Sequence, residues 1–260
     1  MTLKAAAKRK VARTIRNHNR LLTDVRLQTL RDLGKVMSVV SQEKASSHFM
    51  RDGEYTTFAD WCFIHRARLN LLPLNGANPR PNANKPCLRC AWQNETLPHI
   101  MCHCITYSDA YRRRHNALVD SQDNCLRTPL ESNIRKSVCP KSSVLKPDLV
   151  IEKNNKLLII DVTCSFESMG DAFADARTEK ETKYADLAVE MRALPRYNRV
   201  TVHAFIVGLL GSYDPLNEQL MKSGVEEVLR NLQKAVCVSD VIRWSRMRYI
   251  EHITGARQYE

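Results

Sequence analysis

Apolar residues recur at helical spacing over Leu21–Val40 and again over Phe58–Leu72, which predicts a mainly helical first 70 residues. Pro73, Gly76, Pro79, Pro81 and Pro86, interleaved with Asn75, Asn78, Asn82 and Asn84, then break the pattern and predict a loop. Beyond a cysteine-rich stretch, Ser108–Val119 reads as a helix, followed by irregular sequence to Ser143. Leu149–Glu152 and Leu157–Thr163 read as strands, Gly170–Leu194 as one long helix, Val200–Val207 as a strand and Pro215–Ala235 as a helix. Aliphatic runs such as Leu157–Ile160 are far shorter than the roughly 20 residues that cross a bilayer, so no membrane span is expected.

The 260 residues leave room for one large domain or two small ones, and 43% apolar with 26% charged positions is an ordinary globular composition. Disorder, collagen and a disulfide-stapled miniprotein are excluded on those grounds. Charge changes the picture, because the net value is +12 and a surplus of that size points to a polyanion, nucleic acid first. Residues 1–35 hold ten Lys or Arg against Asp24 and Asp32. At helical pitch Arg9, Arg13, Arg16 and Arg20 fall in one narrow stripe, with Val11, Ile15 and Leu22 opposite. The stripe suits a phosphate backbone; a solvated basic face and an amino-terminal organelle-targeting segment are the competing readings.

Nine cysteines, an odd number without a secretory signal, argue against a disulfide framework and for a reducing compartment. Four of them, Cys87, Cys90, Cys102 and Cys104, crowd into residues 87–104. Cys87 and Cys90 share a tight turn, and His99 and Cys104 follow with four residues between them. Thiolate and imidazole ligands at that spacing suit a structural, tetrahedral zinc held by Cys87, Cys90, His99 and Cys104. Cys102 and His103 are close enough to replace the last ligand, and unmetallated buried cysteines are the bland alternative. Lys85, Arg89, Arg112, Arg113 and Arg114 place positive charge around this knuckle.

Asn154 and Asn155 stand between two apolar runs and predict a two-residue hairpin turn, since Asn tolerates positive φ. Such a turn pairs Glu152 with Leu157, Ile151 with Leu158, and so on out to Asp148 opposite Asp161. Their Cβ atoms would then lie roughly 5 Å apart on one face. Like charges so placed need a shared proton or a cation, and two carboxylates with open positions suit Mg2+ for phosphodiester chemistry. Solvent-facing aspartates on a different turn are the alternative. On the following helix Phe173, Ala176, Tyr184, Leu187 and Met191 form an apolar stripe that includes Lys180, with Lys183 at its edge. A lysine there either meets an anionic partner or extends past the core to water.

Pro147-Asp148, Asp161 on a following apolar strand and then a lysine resemble the PD-(D/E)xK restriction-like nuclease core. In most of that superfamily the lysine stands two residues after the second acid, a place held here by Thr163. The ordered set Cys87/Cys90/His99/Cys104, Arg114-His115-Asn116, Pro147-Asp148, Asp161-Val162-Thr163 and Lys180-x-x-Lys183-Tyr184 is closer to the carboxyl end of site-specific non-LTR retrotransposon polyproteins. These are of the kind that inserts into ribosomal RNA genes. The resemblance covers about residues 60–210. It implies a restriction-endonuclease-like α/β core over 106–212, with a central mixed sheet flanked by helices. Before the core it implies a basic helical arm over 1–72 and a zinc knuckle over 85–105; after it, a helical extension over 213–260.

The implied activity is Mg2+-dependent nicking of a target DNA duplex to expose a 3′ hydroxyl that primes reverse transcription of the element's RNA in the nucleus. Asp148, Asp161, Lys180, Lys183 and Tyr184 would be catalytic. Arg9, Arg13, Arg16, Arg20, Arg112, Arg113, Arg114, His115 and Asn116 would contact nucleic acid. The paired-aspartate turn of a reverse transcriptase is missing, because Tyr184-Ala185-Asp186-Leu187 lacks the second aspartate. The chain therefore reads as part of such a polyprotein or as a stand-alone derivative. A non-catalytic zinc-knuckle module that binds nucleic acid is the rival reading.

Overall fold

A computed structural model describes residues 5–30, 33–51, 53–77, 85–107, 109–130, 133–135, 145–168, 171–221 and 227–259. The elements are α1 (Ala5–Gln28), α2 (Leu33–Val40), α3 (Phe58–Arg68), α4 (Asp109–Leu130), β1 (Asn133–Arg135), β2 (Leu149–Lys153), β3 (Lys156–Ser165), α5 (Asp171–Lys183), α6 (Ala185–Arg192), β4 (Arg199–Gly208), α7 (Asn217–Met221) and α8 (Glu227–Thr254). The fold is α/β, with one mixed sheet in the order β1-β2-β3-β4. Its β1/β2 and β2/β3 pairs are antiparallel and β3/β4 is parallel. No helix among the described residues is long and apolar enough to cross a membrane.

The hairpin forms as the asparagines predict. Asn154 and Asn155 both take positive φ, 49° and 57°, and β2 pairs Leu149 with Ile160 through Lys153 with Lys156. Strand alternation then sorts the side chains. Leu157 and Ile159, with Val150 and Val200, face Tyr184, Leu187 and Met191. Ile160 and Val162, with Leu149 and Phe205, face the opposite way, toward Leu118, Val238, Val241 and Ile242. That larger cluster also takes in Val36, Ile64, Leu97 and Ile100, so all four segments outlined by the sequence share one core.

Two helices differ from expectation. The helix expected over Gly170–Leu194 breaks at Tyr184, whose φ of −104° and ψ of 9° leave the α region and separate α5 from α6. No Pro or Gly causes the break; Tyr184 is fully buried and its hydroxyl reaches the sheet, and tertiary contact overrides helical continuity there. The helix expected over Pro215–Ala235 is instead the short α7 and then α8, which runs on to Thr254. Ser108–Val119 is the first half of the longer α4, although residue 108 itself lies outside the described residues. Residues 78–84 of the expected loop lie outside them as well.

Buried arginines tie the layers together. Arg68 of α3 donates to the carbonyls of Ser46, Leu210 and Gly211, and burial pushes its pKa down to about 10. Arg248 of α8, fully buried, donates to the Cys104 carbonyl over 2.6 Å.

Candidate metal centre and carboxylate site

The ligand atoms of Cys87, Cys90, His99 and Cys104 all lie within 4.8 Å of one another, an arrangement that can hold a metal ion. Cys87 Sγ and Cys104 Sγ are 3.9 Å apart, and Cys90 Sγ and His99 Nε2 3.2 Å. A tetrahedron with metal–sulfur bonds of about 2.3 Å has edges of about 3.8 Å, so the donor set fits a zinc-like ion. Local backbone explains the choice of Cys104. His99–His103 is a π-helical turn, closed by the Cys104 N–H on the His99 carbonyl at 2.8 Å. That five-residue step brings positions 99 and 104 onto one side. Cys102 and His103 fall outside the cluster; Cys102 packs on the core, and burial raises its thiol to about 11.

The donors are differently prepared for a metal. Burial raises Cys87 to about 11. Burial also opposes ionisation of Cys104, but the Thr106 N–H, the Cys87 thiol and Arg248 outweigh it and hold Cys104 below the ordinary thiol value. Burial lowers His99, keeping the imidazole neutral as ligation requires. Trp92 stacks parallel to the His99 ring with centroids 6.1 Å apart.

A second cluster forms at the end of the β2–β3 ladder. Asp161 sits on β3, buried, and Asp148 immediately precedes β2, one step past the Leu149–Ile160 pair. Asp161 Oδ1 accepts from the Tyr184 hydroxyl at 2.7 Å, and Oδ2 is 3.1 Å from Lys180 Nζ and 4.0 Å from Lys183 Nζ. Lys183 Nζ also lies 4.6 Å from the Tyr184 ring centroid. Asp148 Oδ2 accepts from the Val162 N–H at 2.7 Å and faces His115 Nε2 at 3.2 Å. Asp161, both lysines and Tyr184 thus meet, with Asp148 held beside them by the Val162 N–H, and of the two alternatives open to Lys180 it takes the anionic partner. Thr163 stays on β3, while the amines come from α5.

The arginine-rich helix is redistributed. Arg114, expected to contact nucleic acid, is buried between α4 and α8, donating to Ser245 Oγ and the Met101 carbonyl. Its face of α4 is the one that packs on the core. Arg112 and Arg113 both pair with Asp109, and the Arg113 guanidinium lies 4.8 Å from the Tyr259 ring centroid. Asn116 is exposed beside His115. Replacing Arg114 with Met should therefore cost about 1–3 kcal/mol of stability, read as a shifted denaturation midpoint, with DNA affinity of the folded protein unchanged.

His115 belongs to the carboxylate site. Its hydrogen bond to Asp148 raises its pKa above 6.5 against the pull of burial. For Asp148, burial pushes upward, but His115, the Val162 N–H and Lys180 hold it below 3.8. The His115 contribution to stability is full below about 6.5 and is lost as pH rises through its elevated value. The Asp148 contribution is present above about 3.8 and is lost as pH falls through its depressed one. The pair is therefore strongest between those limits. In metal-free protein, Asp148→Asn should bring the His115 titration, followed by NMR, back toward 6.5; an unmoved titration contradicts the contact.

Sequence reasoning missed Glu95 and His252, both fully buried beside the cysteines. His252 lies 148 residues beyond Cys104, and no local spacing could announce it.

No protein-family model matches the chain, and no curated protein matches it.

The four α1 arginines lie on an exposed helix, as do Val11, Ile15 and Leu22 on its other side.

Proposed function

We propose that this chain is a Mg2+-dependent DNA endonuclease with a restriction-like core and a structural zinc knuckle, acting at the carboxyl end of a retrotransposon polyprotein or as a derivative of one. The observation that carries the reading is the grouping of Asp148, just before β2, and Asp161, midway along β3, with Lys180 of α5, which pairs with Asp161 and helps hold Asp148 ionised. Two carboxylates, one buried and one half-buried, backed by a lysine and a tyrosine serve few purely structural ends, and ionisable groups packed together in this way mark functional sites.

Asp148 and Asp161 would hold Mg2+, which supplies Lewis-acid polarisation of the phosphate and a more acidic bound water. Lys180, released from its ion pair with Asp161, orients the attacking water and offsets the charge that develops on the phosphorane oxygens. Tyr184 fixes the Asp161 carboxylate through Oδ1, leaving Oδ2 toward the lysines. His115 and the Val162 N–H orient Asp148 in the same way. Lys183, more exposed than Lys180, steers the backbone toward the site.

Delivery of the duplex falls to the α1 stripe. Changing Arg9, Arg13, Arg16 and Arg20 to Gln should flatten the salt dependence of DNA binding by up to about 0.9 in log–log slope for each phosphate that is no longer neutralised. An unchanged slope would remove α1 from the interface. The activity itself is tested by nicking of supercoiled plasmid with Mg2+ against EDTA; binding without cleavage in both would favour the non-catalytic module.

A further inference from the structure

The metal cluster is not confined to the knuckle. His252, in the last turn of α8, places Nδ1 3.9 Å from Cys104 Sγ and Nε2 3.9 Å from Cys87 Sγ. The same Nε2 lies 2.8 Å from Glu95 Oε1. Glu95 also accepts from the Leu88 N–H at 2.8 Å and the Asn75 N–H at 2.9 Å. Leu88 stands between Cys87 and Arg89 on the ligand turn, so one buried carboxylate holds both that turn and the imidazole. From the same turn Arg89 donates to the carbonyls of His252 and Ile253 at 2.6 and 2.8 Å, covering the open carbonyls at the end of α8.

Cys87, Cys90, His99 and Cys104 already complete a tetrahedral set, so a fifth side chain has no vacancy to fill. His252 stands over the edge between two of the sulfurs, and its Nε2 proton is committed to the carboxylate. Groups in such positions orient the ligands beside them. Three thiolates and Glu95 would gather negative charge in a buried space, with the Nε2–H of His252 on the carboxylate and the nearby Arg89 and Arg248 guanidinia as its complement.

We propose that His252, held by Glu95, is an outer-sphere positioning residue of the metal centre, and that metal binding thereby fixes the carboxyl-terminal turns of α8 against the core. The inference rests on the metal reading of the four-residue cluster. It links the knuckle to the helix that carries Arg248, Ser245, Ile242 and Val238 into the core.

The test uses the whole chain, with Co2+ and Zn2+ as probes. Wild-type protein should give the intense absorption of tetrahedral thiolate-bound Co2+. His252→Ala should keep that spectrum but weaken Zn2+ binding by about 10–100-fold. Amide hydrogen exchange over residues 248–254 should quicken in the metal-bound variant to the rate of metal-free wild type, while exchange in β3 stays unchanged. His252→Gln, which can still donate to Glu95, should recover part of the affinity, and it carries the test if the alanine variant does not fold. Unchanged Zn2+ affinity and exchange in both variants would overturn the proposal, as would a changed Co2+ spectrum, which would make His252 a ligand. Wild type that takes up no metal would end the metal reading and this inference together, whereas normal uptake with insensitive variants would end this inference alone.

Discussion

Asp161→Asn is expected to lower Mg2+-dependent nicking by at least about 10²–10³-fold, the loss that follows removal of one preorganised charge-stabilising group, while duplex binding persists. Both lysines and Tyr184 address Asp161, so losing its charge removes the group around which they are arranged. Asn keeps an oxygen for the Tyr184 hydroxyl and a similar volume, so the fold should survive the change. Gel-shift affinity and far-UV circular dichroism of the variant supply the controls. Nicking at the parental rate would show that the carboxylate cluster is not the reaction centre, wherever else cleavage arises.

Metal removal is the second large effect, and it acts on stability. If the knuckle binds Zn2+ and free metal stands at about a thousand times the dissociation constant, linkage contributes about 4 kcal/mol. At about 2–4 °C per kcal/mol for a domain of this size, chelation should lower Tm by roughly 8–16 °C. The loss should extend beyond the knuckle, because Arg248 holds the Cys104 carbonyl and Arg89 holds the end of α8. Cys87→Ser should reproduce the effect without chelator and make added Zn2+ ineffective. The affinity should also fall with acidity, since the Cys87 thiol, raised to about 11 by burial, must lose its proton to bind. A Tm indifferent to chelator and to Cys87→Ser would leave the four residues as ordinary buried side chains.

Local signals were legible in the sequence and long-range ones were not. Asn154 and Asn155 determine a two-residue turn, and strand geometry then carries that register out to the Leu149–Ile160 pair, one step short of Asp148 and Asp161. Lys180 was only partly legible: the stripe that left it either an anion or water assumed one helix, the structure divides that stripe between two clusters, and Lys180 still meets an anion, Asp161. The break at Tyr184 was hidden because its cause, a hydroxyl reaching a carboxylate 23 residues earlier, leaves no helix-breaking residue behind. Arg114 misled for the opposite reason. Three consecutive arginines look like one basic face, yet successive helical residues point about 100° apart, so one of the three turned into the core.

The zinc-type spacing picked out four residues whose donor atoms come together, and a π-helical turn brings Cys104 rather than Cys102 or His103 into that cluster. Glu95 and His252 stayed invisible because only the docking of α8 brings them there. The basic arm was read from its charge and from the helical stripe of its arginines, and its exposed apolar side shows how little of its surface the rest of the fold uses.

Strand cleavage of a defined DNA duplex by the wild-type chain, with Mg2+ and with EDTA, bears most directly on the carboxylate centre. A nuclease built on Asp148 and Asp161 should give a nick that requires Mg2+ and leaves a 3′ hydroxyl which a polymerase can extend. A duplex that is bound but left intact at every Mg2+ concentration, or cut equally well in EDTA, would contradict it.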